Sequence, residues 1–304
     1  MDGATFGGVN AAVLTPMRAD LLVDLDRMAQ RCRWLLANGC TGLAILGTTG
    51  EANSLGVGER IEVMEGLVAR GIPAARLLPG CGTTAITDTV LLTRAAAGLG
   101  CGGVLLLPPF FYKAPSDDGL FAYFSEVLNR AGSAAKVYLY HFPAQSAVPF
   151  GLDLIGRLLR AFPGAIKGIK DSSGDFANTR GYVDAFAAEG FEVYCGDDGA
   201  LLDLLRIGGA GSISAASNVS SAVNARVAAN WDNAEGEAAQ ATLSSLRKAV
   251  TSAPLIPGLK SLVARHTGDP AWTNIRPPHL RLAAEPEARL FAAFDACGVD
   301  LARA

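Results

Sequence analysis

The chain has 304 residues, half of them hydrophobic, and a formal net charge of −3. That length and apolar content can bury a large core, as one big α/β domain or two smaller ones. Lysines and arginines are scattered without a basic run, so neither nucleic acid nor an anionic membrane surface is an expected partner.

The amino terminus has no basic region leading into an apolar core, so no signal peptide is expected. No apolar run approaches the roughly 18 residues of a membrane helix. The six cysteines are widely spaced with no Cys-x-x-Cys pair, and read as reduced and mostly buried, which makes a cytoplasmic location the expectation. The three histidines, His141, His266 and His279, lie far apart, so a zinc site built on histidines is not expected.

In chain order, short β-like runs alternate with longer helical stretches. Residues 9–14 form a strand candidate, ended by Thr15-Pro16. Residues 24–37 carry helical spacing through Leu25, Met28, Cys32, Leu35 and Leu36, and stop at Asn38-Gly39. Further strands are expected at 42–46, 76–79, 103–107, 136–141, 165–170, 191–195 and 211–214. Helices are expected between them at 58–69, 87–99, 116–130, 152–161, 177–188 and 199–207, with Ser116 as an N-cap. Eight strands in regular βα alternation imply a parallel sheet, and eight units in about 210 residues fit a closed (β/α)8 TIM barrel. No Gly-x-Gly-x-x-Gly follows the first strand and no P-loop motif occurs, which weakens an open doubly wound sheet. Beyond the last strand the pattern turns all helical, at 222–231, 235–250, 258–266 and 285–297. The expected organisation is therefore a barrel carrying the active site over residues 1–220, with a C-terminal helical appendage over 221–304 that covers the barrel or makes a subunit contact.

Barrel active sites form at the carboxyl ends of the strands. The sixth strand ends Gly168-Ile169-Lys170-Asp171-Ser172-Ser173-Gly174. Side chains alternate along a strand, so Lys170 shares a face with Gly168, whose missing side chain is expected to leave room for a small ligand. A partly desolvated lysine amine is a nucleophile that forms a Schiff base with a carbonyl substrate. The fifth strand ends at Tyr140, one βα unit from Lys170, and a tyrosine there can relay a proton. The second strand runs into Gly47-Thr48-Thr49-Gly50-Glu51, where hydroxyls and backbone donors between glycines can hold a carboxylate. Together these groups suit imine chemistry on a 2-oxo acid, with no metal or other cofactor beyond the lysine imine.

These motifs, with Tyr140-x-x-Pro143, resemble the dihydrodipicolinate synthase / N-acetylneuraminate lyase family of class I aldolases and lyases. Thr15-Pro16, Pro108-Pro109-Phe110-Phe111-Tyr112, Gly196-Asp197-Asp198 and the run from Gly208 to Ser214 match in the same order, over about residues 8–220. The resemblance implies a (β/α)8 barrel, a homo-oligomer (dimer or tetramer), and pyruvate or another 2-oxo acid bound to Lys170. It further implies Tyr140 as proton carrier, Thr48 and Thr49 on the carboxylate and in the relay, and Gly47, Gly168, Gly196 and Ile213 as parts of the substrate site.

Two departures narrow that reading. Where the synthases resemble Tyr-Asn-x-Pro-x-Arg, this chain has Gln145, which forms no charged bidentate pair with a carboxylate. Losing such a pair costs about 2 kcal/mol or more of binding, so a neutral, hydroxylated substrate tail is expected, as in a 2-oxo-3-deoxy sugar acid. A tyrosine that reaches across a subunit interface in the family falls at Phe111 here; either a local shift lets the adjacent Tyr112 substitute for it, or the relay depends on water or another group. The leading expectation is a Schiff-base lyase or aldolase. Synthesis of 4-hydroxy-tetrahydrodipicolinate, dehydration or deamination through the same imine, and a non-catalytic 2-oxo acid sensor are the alternatives.

Overall fold

In this computed structural model, residues 6–301 are described. The strands read as nearly continuous buried runs because parallel barrel strands are covered by the barrel interior on one side and by helices on the other. They are β1 (Gly8–Ala12), β2 (Gly42–Ala44), β3 (Val104–Leu106), β4 (Val137–His141), β5 (Ile166–Asp171), β6 (Glu192–Cys195) and β7 (Gly211–Ser214). All pair in parallel, in the order β2-β1-β7-β6-β5-β4-β3.

The expected strand at 76–79 is not a regular one. Residues 77–81 instead close the ring by single bridges, Leu43 to Leu77 on one side and Gly80 to Leu105 on the other. The Leu78 amide donates to Leu43 O at 2.9 Å, and the Leu105 amide donates to Pro79 O at 2.9 Å. Pro79 has no N–H to give in return, which interrupts the ladder in mid-segment. Gly80 is required here, because a Cβ at that position would lie 2.1 Å from Leu46 O.

Helices α1 (Leu25–Ala37), α2 (Val57–Ala69), α3 (Ile86–Gly98) and α4 (Asp117–Ala131) follow the expected spacing. Asp24 caps α1 by accepting from the Arg27 amide, and Ser116 caps α4 by accepting from Gly119 at 3.1 Å. A one-turn helix, α5 (Pro143–Ser146), was not anticipated; it precedes α6 (Leu152–Ala161). Then come α7 (Phe176–Phe186), α8 (Leu201–Arg206) and α9 (Ser217–Ala229). Helix α9 starts five residues before its expected 222, because Asn218 ties its first turn to the barrel. The Asn218 amide group donates to Ala12 O at 2.8 Å, and its oxygen accepts from the Leu14 amide. Helices α10 (Ala234–Val250), α11 (Leu255–Thr267) and α12 (Ala284–Asp295) complete the chain, with α10 packed on α8 and α9.

The barrel interior is a packed core. Phe6, Ala44, Leu78, Leu105, Tyr138, Tyr140, Tyr194 and Ile213 fill it. Glu192 accepts from the Tyr138 hydroxyl at 3.0 Å and from the Tyr194 hydroxyl. Burial, followed by the Glu192 charge, pushes the Tyr194 phenol well above its ordinary range, so it stays a donor to Glu192. All six cysteines are free, four of them buried. Among the described residues no helix is long and apolar enough to cross a membrane.

Candidate active site

Strands β4 and β5 place Tyr140 directly opposite Lys170 in register. The Lys170 Nζ lies 4.2 Å from the Tyr140 ring centroid, and both residues are buried. A cation over a ring face is held there electrostatically. Among the described residues, Lys170 has no carboxylate or hydrogen-bond partner for its amine, so nothing else engages it. Phe142 stacks on Tyr140, with ring centroids 5.7 Å apart.

What fixes Lys170 is the residue after it. The Asp171 carboxylate is buried and accepts from the Ser173 amide at 2.8 Å, Asn178 Nδ2 at 2.9 Å and Thr179 Oγ1 at 2.7 Å. These bonds pin the strand end to the start of α7 and leave Lys170 only its side-chain torsions. On the outer face His141 accepts from the Phe150 amide through Nδ1 at 3.0 Å. Burial holds that imidazole below its ordinary range, so it is a neutral strut.

Thr48 and Thr49 sit in a tight turn flanked by two left-handed residues, Leu46 at φ 55° and Glu51 at φ 56°. Such a conformation costs a non-glycine residue about 1 kcal/mol or more. The restraint on Glu51 comes from the other end of the chain. Its carboxylate forms an ion pair with Lys260 of α11, both side chains being essentially fully buried. Its Oε2 accepts from the Arg276 amide at 3.2 Å. Lys260 also donates to Asn274 O at 2.8 Å. Burial pushes the Lys260 ammonium below its ordinary range while Glu51 pulls it back up.

One cavity of about 350 Å³ gathers six of the predicted residues: Thr48, Thr49, Tyr140, Gln145, Lys170 and Gly196. Gly47 lies next to it, lining a recess of about 20 Å³ with Thr48 and Tyr140. Gly168 does not open onto the cavity. A Cβ there would lie 2.1 Å from Glu192 O, so the space beside it belongs to β6 and not to a ligand. Ile213 is wholly buried inside the barrel beside Tyr140 and does not line the cavity. Phe111 and Tyr112 are 71 % and 70 % exposed, on the loop before α4, and neither lines the cavity of their own chain.

Sequence reading missed much of the outer wall. Phe142, Ser172, Ser173, Asp197, Arg247 and His279 all line the cavity. Ser172 and Ser173 stood in the lysine motif and Asp197 in the Gly-Asp-Asp motif, so motif position could have nominated them. Arg247 in α10 and His279 beyond α11 carry no local signal. Among the described residues, no group of three or more His, Cys, Asp or Glu is placed to hold a metal ion.

A model of the Dihydrodipicolinate synthetase family matches residues 5–296 of the chain. An uncharacterized DapA-like lyase from Chloroflexus aurantiacus is 35% identical over 294 residues, which cover 95% of this chain and 96% of that protein. Among solved structures, dihydrodipicolinate synthase from Agrobacterium tumefaciens superposes with a TM-score of 0.89 at 33% identity, covering 95% of this chain and 99% of that one. YagE, a prophage protein of the same family from E. coli K12 solved in complex with pyruvate, superposes with a TM-score of 0.89 at 28% identity, covering 98% and 100%.

Proposed function

Since the chain belongs to the dihydrodipicolinate synthetase family, whose lyases it resembles over nearly its whole length, we propose that it cleaves or forms a carbon–carbon bond of a 2-oxo acid through an imine on Lys170. The observation that carries this reading is the lysine amine over the Tyr140 ring, uncommitted to any carboxylate, in one cavity with Thr48 and Thr49. The Lys170 amine adds to the C2 carbonyl and the carbinolamine loses water. Tyr140 carries the protons: one to the departing hydroxyl, one to or from the aldehyde oxygen. The protonated imine withdraws the electron pair of the C3–C4 bond as that bond breaks, and returns it as that bond forms. Thr48 and Thr49 hold the substrate carboxylate, and no cofactor beyond the imine takes part.

Pyruvate is the simplest substrate that fits, and a 2-oxo-3-deoxy acid is its aldol adduct. Gln145 lines the cavity and is neutral, so a cation for a second carboxylate would have to come from an element other than α5. The exposed Phe111 and Tyr112 support a homo-oligomer in which this loop meets a second copy. Borohydride reduction in the presence of pyruvate, followed by peptide mapping, tests the proposal. A reduced three-carbon adduct on Lys170 is expected; an adduct elsewhere, or none with pyruvate or larger 2-oxo acids, would remove Lys170 from the chemistry.

A further inference from the structure

Gln145 alone suggested a neutral substrate tail. The cavity supplies a cation from a different element. Arg247, near the end of α10, lines the same cavity as Lys170, and its side chain is only 23% exposed. Its Nε pairs with Asp197 Oδ1 at 3.3 Å. That oxygen is itself held in place, accepting from the Gly199 amide at 2.8 Å. Among the described residues the two terminal nitrogens of Arg247 have no protein hydrogen bond. The guanidinium is therefore gripped by its inner edge, which leaves the outer fork free.

Charge bookkeeping within the cavity wall points the same way. Its charged side chains are Lys170, Arg247 and Asp197. Asp197 is 47% exposed, so water screens its half of the pair. The same cavity wall includes an apolar run, Pro254, Leu255, Ile256 and Pro257, where the chain enters α11. A partly buried guanidinium whose two terminal nitrogens are unbonded binds a planar or tetrahedral anion bidentately, far better than it binds a hydroxyl.

We propose that Arg247, positioned by Asp197, is the specificity residue for the distal end of the substrate, and that this end carries an anionic group. The substrate class is then a 2-oxo-3-deoxy acid with a second carboxylate or a phosphate at the far end of its chain. The inference rests on the imine reading for the near end of the ligand, but its test need not.

A 2-hydroxy acid has no 2-oxo group and forms no imine, so the difference in affinity between two that share the same head reports the tail. Calorimetry on the full chain would compare the six-carbon 2-hydroxy diacid with the six-carbon 2-hydroxy monoacid. At least tenfold tighter binding of the diacid is expected, shrinking to within twofold in Arg247→Gln and partly kept in Arg247→Lys. Equal affinities in the unaltered protein, or a preference undiminished in Arg247→Gln, would overturn the proposal; the first comparison needs no variant to fold. Diacid preference without pyruvate trapping on Lys170 would instead sink the imine reading and leave Arg247 standing. Turnover of the six-carbon 2-oxo-3-deoxy diacid against the 6-phosphorylated 2-oxo-3-deoxy acid then separates the two anions. A higher kcat/KM for one, lost in Arg247→Gln, identifies the group, whereas turnover of the uncharged-tail acid as fast as either would count against both.

Discussion

The floor and the outer wall of the cavity are built by different means. The floor comes from neighbouring strands, where register sets Tyr140 opposite Lys170 and a few hydrogen bonds on Asp171 lock the strand end. The wall comes from α10, α11 and the segment after it, more than a hundred residues past Tyr140 in sequence. It is joined to the rest of the barrel by helix packing, α10 on α8 and α9, and by ion pairs, of which Glu51–Lys260 is essentially fully buried. The floor is held by strand register and hydrogen bonds, whereas the wall's attachment includes a buried charge pair that one substitution can cut. Changes on the floor should alter chemistry with little loss of stability, and changes at the wall's anchor should do the reverse.

Lys170→Ala is the most severe floor variant. It is expected to lose turnover and borohydride trapping entirely while its unfolding midpoint in urea stays near that of the parent. A residual adduct mapped to another lysine would break the assignment. Tyr140→Phe should follow, slowing turnover about 10²- to 10⁴-fold, the usual contribution of a positioned acid–base group. Pyruvate should still be trapped on Lys170 in that variant, and turnover within tenfold of the parent would take the phenol out of the proton path.

Lys260→Met tests the anchor. It leaves Glu51 buried without its counter-charge, which costs about 3–5 kcal/mol, read as a lower urea midpoint. Because Glu51 closes the left-handed turn that presents Thr48 and Thr49, KM for the 2-oxo acid should rise as well. Adding Glu51→Gln to Lys260→Met should recover part of the lost stability by removing the stranded charge. If the double variant is as unstable as the sum of the singles, the two groups do not act as a pair.

The same contrast explains what could be read from sequence. The barrel was legible because βα alternation is a repeated signal, and Tyr140 and Lys170 were legible because strand parity fixes which side chains share a face. Residues 77–81 close the ring without forming a regular strand, since Pro79 breaks a ladder that the apolar pattern alone suggests. Gly168 misled: absence of a side chain in a strand signals close approach of something, and parity does not say whether that is a ligand or, as here, the Glu192 backbone. Arg247 and Lys260 sit in helices whose spacing reports only an apolar face. Their partners, Asp197 and Glu51, are 50 and 209 residues away in sequence, and no local pattern encodes such a pairing.

The smallest expected effect concerns Asp198, beside the wall. Its carboxyl is fully buried, and among the described residues neither oxygen has a hydrogen-bond partner of normal geometry. Burial pushes it up from 3.8 to about 6, with Arg247, Ser214 and Asn224 pulling the other way. Because the folded state holds this proton more tightly than the unfolded chain, stability falls as pH rises from about 4 to about 6 and stays lower above that. Two pH units correspond to about 3 kcal/mol at most. Asp198→Asn keeps the shape and removes the titration. Relative to the parent, it should therefore gain stability across that window and hold the gain at pH 8, measured by urea unfolding at a series of pH values. Every other carboxylate titrates in both proteins and cancels in the difference, so a difference that is flat from pH 4 to pH 8 would mean that Asp198 does not change charge in that range. The wall enters through Arg247: in Arg247→Gln the drop should extend to higher pH, because the buried carboxylate has lost the cation that favours its charged form.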